Sequence, residues 1–153
     1  MIIQFSKARQ NARSPLRANP SDAGLDVFYS PDDNEIAGKW LVPGASGLFS
    51  TGLKFGIPHG YMLEVKNRSS MAAKRSLVVG ACVIDSGYSG EVFVNLHNIG
   101  REPQFITPGD KIAQLVMTPV VLFGAQESTS DELYARPITI SDRGTGALGS
   151  TDG

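Results

Sequence analysis

Gly80-Ala81-Cys82-Val83-Ile84-Asp85-Ser86-Gly87-Tyr88-Ser89-Gly90-Glu91 runs straight into Val92-Phe93-Val94-Asn95-Leu96-His97-Asn98. The first stretch is an apolar strand that delivers an aspartate into a glycine-bracketed turn. The second alternates: Val92, Val94 and Leu96 fall on one face, and Glu91, Phe93, Asn95 and His97 fall on the other. A period of two marks a strand with one face in a core and the other toward solvent or a partner. The unit therefore reads as a β-hairpin with a carboxylate and a tyrosine at its bend. An aspartate at a bend can simply cap the turn. It can also serve as a general base, with the Tyr88 face beside it able to hold a sugar or a ring.

Outward from this hairpin the same texture recurs. Short β-prone runs at 2–5, 25–29, 39–42, 48–51, 53–57, 61–66, 77–79, 82–84, 91–98, 104–106 and 111–117 are separated by Gly, Pro, Asn and Asp. Such spacing predicts an all-β sandwich, jelly roll or barrel. The exception is Ser70-Met71-Ala72-Ala73-Lys74-Arg75, good helix formers behind two serines able to cap them. A short helix there aims backbone amides and Arg68 at one spot, an arrangement suited to phosphate. From Gly124 the chain turns polar and then glycine-rich, with four glycines from Gly144 to Gly153. The expectation is a β domain over 1–123 and an extended C-terminal arm over 124–153 belonging to the same functional unit.

The whole composition narrows the classes. A chain of 153 residues, 41% hydrophobic and 19% charged, suits one domain with one core. A net charge of −1 supplies no basic field for a nucleic-acid backbone. Cys82 is the only cysteine, which excludes an internal disulfide and any multi-cysteine metal site; its apolar neighbours predict a small buried hydrophobe. His59 and His97 are not in ligand spacing. No apolar run reaches membrane length, and Met1-Ile2-Ile3-Gln4-Phe5-Ser6-Lys7 has no apolar leader. A cytoplasmic protein is expected, with neither nucleic acid nor membrane as partner.

Four further segments flank the hairpin in order: Ala23-Gly24-Leu25-Asp26-Val27, Asn67-Arg68-Ser69-Ser70-Met71-Ala72, Pro108-Gly109-Asp110-Lys111-Ile112-Ala113-Gln114-Leu115, and Arg143-Gly144-Thr145-Gly146-Ala147-Leu148-Gly149-Ser150. Together the five resemble the ordered motifs of the trimeric dUTPase family, from about residue 22 to residue 151. The resemblance implies a distorted jelly roll, a homotrimer with shared active sites, and Mg²⁺-dependent hydrolysis of dUTP to dUMP and pyrophosphate. It implies that Asp85 activates the attacking water and that Tyr88 excludes a 2′-hydroxyl. Gly80, Ala81, Val83, Ile84 and Phe93 then read uracil, largely through backbone. Ser69, with Ser70 beside it, takes a phosphate oxygen. Arg68 is open between phosphate and an ion pair, conceivably with Asp110. Gln114 interrupts an apolar run and must bond either backbone or phosphate. Asp26 stands near the metal and acts only through water, because a triphosphate-bound Mg²⁺ needs few protein ligands. Arg143, Leu148, Gly149 and Ser150 belong to an arm that closes over the nucleotide.

The sequence also departs from that family pattern. Leu148 replaces an aromatic, Cys82 a glycine, Gly87 an acidic residue and Ser70 a glycine. These departures keep alive a second reading, a nucleotide-sensing regulatory protein with the same fold. A dCTP deaminase, which the Arg-Ser-Ser stretch also resembles, needs a glutamate where this chain has Asn95, and an amide cannot be that base. A zinc deaminase cannot be assembled from one cysteine and two histidines.

Overall fold

The computed structural model describes residues 1–32, 37–136 and 144–145. Its strands are β1 Phe5–Lys7, β2 Leu25–Phe28, β3 Lys39–Leu41, β4 Ser46–Ser50, β5 Leu53–Phe55, β6 Tyr61–Lys66, β7 Leu77–Val79, β8 Val83–Asp85, β9 Phe93–Asn98, β10 Gln104–Ile106 and β11 Lys111–Pro119. Two short helices, α1 Ser69–Arg75 and α2 Ser130–Leu133, complete it. Neither is long and apolar enough to cross a membrane. The all-β expectation holds, and most runs start or stop within a few residues of their expected ends.

All the strand ladders are antiparallel. A four-stranded sheet has the order β2-β11-β6-β8 and a three-stranded sheet the order β4-β9-β7; β1-β5 and β10-β3 form two-stranded pairs. The alternation in β9 works as read: Val94 and Leu96 are fully buried, whereas Phe93 is half exposed. Val27, Phe49, Leu53, Leu63, Val65, Leu77, Ile84, Ile106, Ile112 and Leu115 join them in one core cluster. Burying side chains of this size supplies the main driving force for the fold.

A buried amide ties the end of β9 to its surroundings. Asn98 Nδ2 donates to the Leu41 and Glu102 carbonyls, both at 2.8 Å, and its Oδ1 accepts from the Gly100 N–H at 2.9 Å. Both N–H donors and the oxygen of that side chain are engaged by backbone, which is what burial of an amide requires.

Several local expectations need correction. The first strand starts at Phe5, not at residue 2, because β5 offers partners only for Phe5, Ser6 and Lys7; Ile2 is 96% exposed. Helix α1 is not capped by a serine: Arg68 is its N-cap, with no side-chain cap bond. Within the arm expected to be extended, Asp131 and Glu132 lie in the short helix α2. Thr129 accepts from the Glu132 N–H, and the Glu132 carboxylate reaches back to the Thr129 N–H, a reciprocal box that closes the first turn.

By contact the chain divides into Met1–Val121 and Leu122–Gly153. The first unit carries every strand and α1; the described part of the second carries α2.

Candidate functional site

The expected hairpin does not form as a pair of strands: β8 adds to β6 in one sheet and β9 lies between β4 and β7 in another, so the bend after Asp85 is a turn that crosses from sheet to sheet. This β8–β9 connection builds a cleft of about 200 Å³ lined by Val83, Ile84, Asp85, Tyr88, Glu91, Val92 and Phe93. Asp85 is the last residue of β8 and pairs with Met62 of β6. Its main-chain carbonyl accepts the Tyr88 N–H at 3.2 Å, so backbone, not the carboxylate, closes the bend. The exposed carboxylate makes no hydrogen bond or ion pair with the described residues, which leaves its oxygens available at the mouth of the cleft. Tyr88 donates its hydroxyl to the Glu91 carbonyl at 2.8 Å.

Just upstream, the Gly80 N–H bonds the Asn95 carbonyl at 2.9 Å, which carries the chain from β7 toward the cleft. The Ala81 N–H reaches the Asn95 side-chain oxygen at 3.4 Å, and that oxygen also meets His97 Nε2 at 2.9 Å. An oxygen already accepting from Ala81 requires His97 to carry its proton on Nε2. Among the described residues β8 is the last strand of its sheet, paired only with β6. Cys82, just before β8, is exposed, contrary to its apolar neighbourhood. Its carbonyl nonetheless accepts the Val65 N–H at 2.7 Å.

A second group of expected residues gathers where β2, β11 and the start of α1 meet. Asp26 is held from two sides: Arg68 Nε donates to its Oδ1 at 2.9 Å, and Lys111 Nζ meets its Oδ2 at 2.8 Å. The partner of Arg68 is thus Asp26. The expected candidate Asp110 pairs with Arg75 instead, at 3.4 Å, and also caps the Thr107 N–H at 3.0 Å. Ser70 Oγ accepts from Arg68 Nη1 at 3.4 Å, and Ser69 is exposed beside it. Gln114 Nε2 donates to the Asn67 carbonyl at 2.9 Å, which holds the amide beside the start of α1. Gly24 makes room for it, since a Cβ there would lie 2.5 Å from Gln114 Oε1.

These two groups do not coincide within one chain. Asp85 pairs with Met62 at the start of β6, whereas Gln114 pairs with Lys66 at its end. Four residues of strand, about 13 Å, separate the two pairings. Arg143, Leu148, Gly149 and Ser150 lie outside the described residues.

Two charged residues escaped the sequence reading. Lys111 is the second cation on Asp26, and its place in Gly109-Asp110-Lys111 was the available signal. Glu91 lines the cleft and is anchored by Arg9, with Nη1 at 3.0 Å and Nη2 at 2.8 Å, and by the Gly52 N–H at 2.8 Å. Ser50 Oγ bonds the same carboxylate. Burial alone would raise the Glu91 carboxyl, but the bonds from Arg9, Ser50 and Gly52, with the Arg9 charge, outweigh it and hold it below the usual carboxylate range.

Fold and cleft define an all-β protein of jelly-roll type with a carboxylate-bearing turn beside the last strand of a sheet. The dUTPase family model matches residues 10–151. The deoxyuridine 5′-triphosphate nucleotidohydrolase of Roseobacter denitrificans is 38% identical, covering 91% of this chain and 86% of its own. That of Chlamydia trachomatis is 35% identical with 96% of each covered. Among solved structures, a dUTPase of Staphylococcus bacteriophage 80alpha with dUpNHpp superposes with a TM-score of 0.81 at 24% identity over 98% of both chains. The phage phi11 dUTPase, whose D95N variant is described as coordinating a structural Mg(II) ion, matches at 0.74 and 25% identity over 84% of this chain and 97% of its own. The chain belongs to the dUTPase family.

Proposed function

We propose that the cleft at the β8–β9 turn hydrolyses dUTP to dUMP and pyrophosphate, with Asp85 orienting and deprotonating the water that attacks the α-phosphorus. Family membership makes the chain a dUTP diphosphatase. The observation that carries the assignment to Asp85 is its carboxylate, exposed at the cleft mouth and engaged by none of the described residues. A base must reach its water with a lone pair free, and Asp26 does not offer one so readily, because both of its oxygens already face cations.

Uracil is read by the outer edge of β8. Val83 and Ile84 lie on a strand with one partner only, so a base can pair with its open edge as a neighbouring strand would; Gly80, Ala81 and Phe93 frame that edge. Tyr88 lies against the deoxyribose. The triphosphate is received by Ser69, Ser70, Gln114 and Arg68, with Arg143, Leu148, Gly149 and Ser150 closing over the nucleotide. Leu148 covers the base without the roughly 0.5–1.5 kcal/mol that aromatic stacking adds.

A magnesium ion fits this chain as the companion of the triphosphate. Among the described residues no three His, Cys, Asp or Glu side chains come together to ligate one. With both Asp26 oxygens taken by Arg68 and Lys111, Asp26 would hold such an ion through water. When bound, the ion neutralises phosphate charge and takes most of its oxygens from phosphate and water.

The assembly proposed from family membership is a homotrimer in which one subunit's Asp85 turn meets a neighbour's Asp26–Gln114 group to complete each site. Pyrophosphate release from dUTP with Mg²⁺, beside dCTP, dTTP and UTP, tests the reading. Turnover confined to dUTP and lost by about 10²-fold or more in Asp85→Asn, with nucleotide still bound, is expected. Undiminished turnover in Asp85→Asn would remove Asp85 from the reaction, and binding without turnover in the unaltered protein would favour the sensing role.

A further inference from the structure

The ring of Tyr88 sits in an unusual position for a wall. It is 47% exposed, and a Cβ added at Gly90 would collide with its ring carbons, so the ring lies directly over that glycine. With solvent on much of its surface, packing alone does not fix its two side-chain torsions. Its hydroxyl makes one hydrogen bond within the described residues, to the main-chain carbonyl of Glu91 at 2.8 Å. The position of the ring therefore depends on the position of that carbonyl.

Glu91 is held more firmly than its place beside a surface turn suggests. Its carboxylate, only 14% exposed, receives both Arg9 nitrogens, the Gly52 N–H and the Ser50 hydroxyl. Arg9 Nη2 also donates to the Ser30 carbonyl at 2.7 Å. The next residue continues the clamp: the Val92 N–H bonds the Leu53 carbonyl at 2.8 Å, and Thr51 Oγ1 donates to the Val92 carbonyl at 2.7 Å. Two-point pairing of a guanidinium with a carboxylate fixes direction as well as distance.

We propose that Glu91 is a positioning residue for sugar discrimination: clamped to Arg9, Ser50 and Gly52, it fixes the carbonyl that tethers Tyr88 and so the wall that rejects a ribose. This rests on the reading of Tyr88 as that wall. Glu91 does not touch the reacting atoms; it acts through the tyrosine.

The test is the ratio of kcat/KM for dUTP over UTP, measured at neutral pH on the full chain for Glu91→Gln, Tyr88→Phe, their double variant and Tyr88→Ala, with Tm recorded for each. Glu91→Gln turns an amide N–H₂ toward the Arg9 donors. It is expected to lower the ratio about fivefold, the worth of one neutral hydrogen bond. Tyr88→Phe, which removes the tether alone, should lower it similarly, and the double variant should resemble Tyr88→Phe, because both changes act through one ring. An unchanged ratio in Glu91→Gln, with or without a lower Tm, overturns the proposal, as do effects that multiply in the double variant. An unchanged ratio in Tyr88→Ala overturns the wall itself and the proposal with it, whereas a relaxed Tyr88→Ala beside an unchanged Glu91→Gln sinks only the role of Glu91. If Glu91→Gln does not fold, Ser50→Ala removes a single donor from the same carboxylate and is judged by the same ratio.

Discussion

At the scale of single residues, the sharpest constraints come from groups already spoken for. Gln114 spends its amide on the Asn67 carbonyl, and Gly24 leaves it the room to do so. Gly24→Ala would place a methyl 3.0 Å from Gln114 Cβ and 2.5 Å from its Oε1, forcing the amide away. A rise in KM for dUTP of about tenfold, with a smaller change in kcat, is the expected outcome in steady-state kinetics, since a displaced phosphate contact weakens binding first. Glu91 gives a prediction in pH. Its folded carboxyl titrates below the unfolded value of about 4.3, so its stabilisation is complete above that value and is lost as pH falls through the folded one. The Tm gap between the unaltered protein and Glu91→Gln should be widest near neutrality and shrink below about pH 4; a gap that holds constant on acidification would show that the charge is not what stabilises.

At the scale of elements, the strands, the bend after Asp85 and the short helix were legible because each is a local pattern: alternation in β9, turn residues between runs, and helix formers in α1; the pairing of β8 with β6 in place of β9 was not, because it joins residues about twenty positions apart. What was not legible is long-range. Arg9 and Glu91 are 82 positions apart, and nothing near either announces the other. Arg68 was read against Asp110 as well as phosphate, yet the sheet brings Asp26 to it, because β2 pairs with β11 and sets Asp26 opposite Gln114. Cys82 misled for a related reason: apolar neighbours imply burial only when the fold covers them, and here Cys82 is exposed and Val83 beside it is 55% exposed. Asn98 shows the same dependence at the end of β9, where one amide serves Leu41, Glu102 and Gly100. Asn98→Ala strands those backbone groups and should cost about 3 kcal/mol in urea unfolding; a loss below about 1 kcal/mol would mean that water replaces the amide.

At the scale of the whole molecule, one core joins the two larger sheets, and the Asp85 turn and the Asp26–Gln114 group are mounted at opposite ends of β6 on that common frame. The proposal that neighbouring copies of the chain complete each site makes a genetic statement. Coexpress in equal amounts two inactive parents, one Asp85→Asn and the other Ser69→Ala with Gln114→Ala, and mixed assemblies should recover activity. If each site draws its Asp85 turn and its phosphate contacts from two different, randomly chosen subunits, about a quarter of the sites will be whole. If one subunit supplied both, every site would inherit a defect and the mixture would stay as silent as its parents.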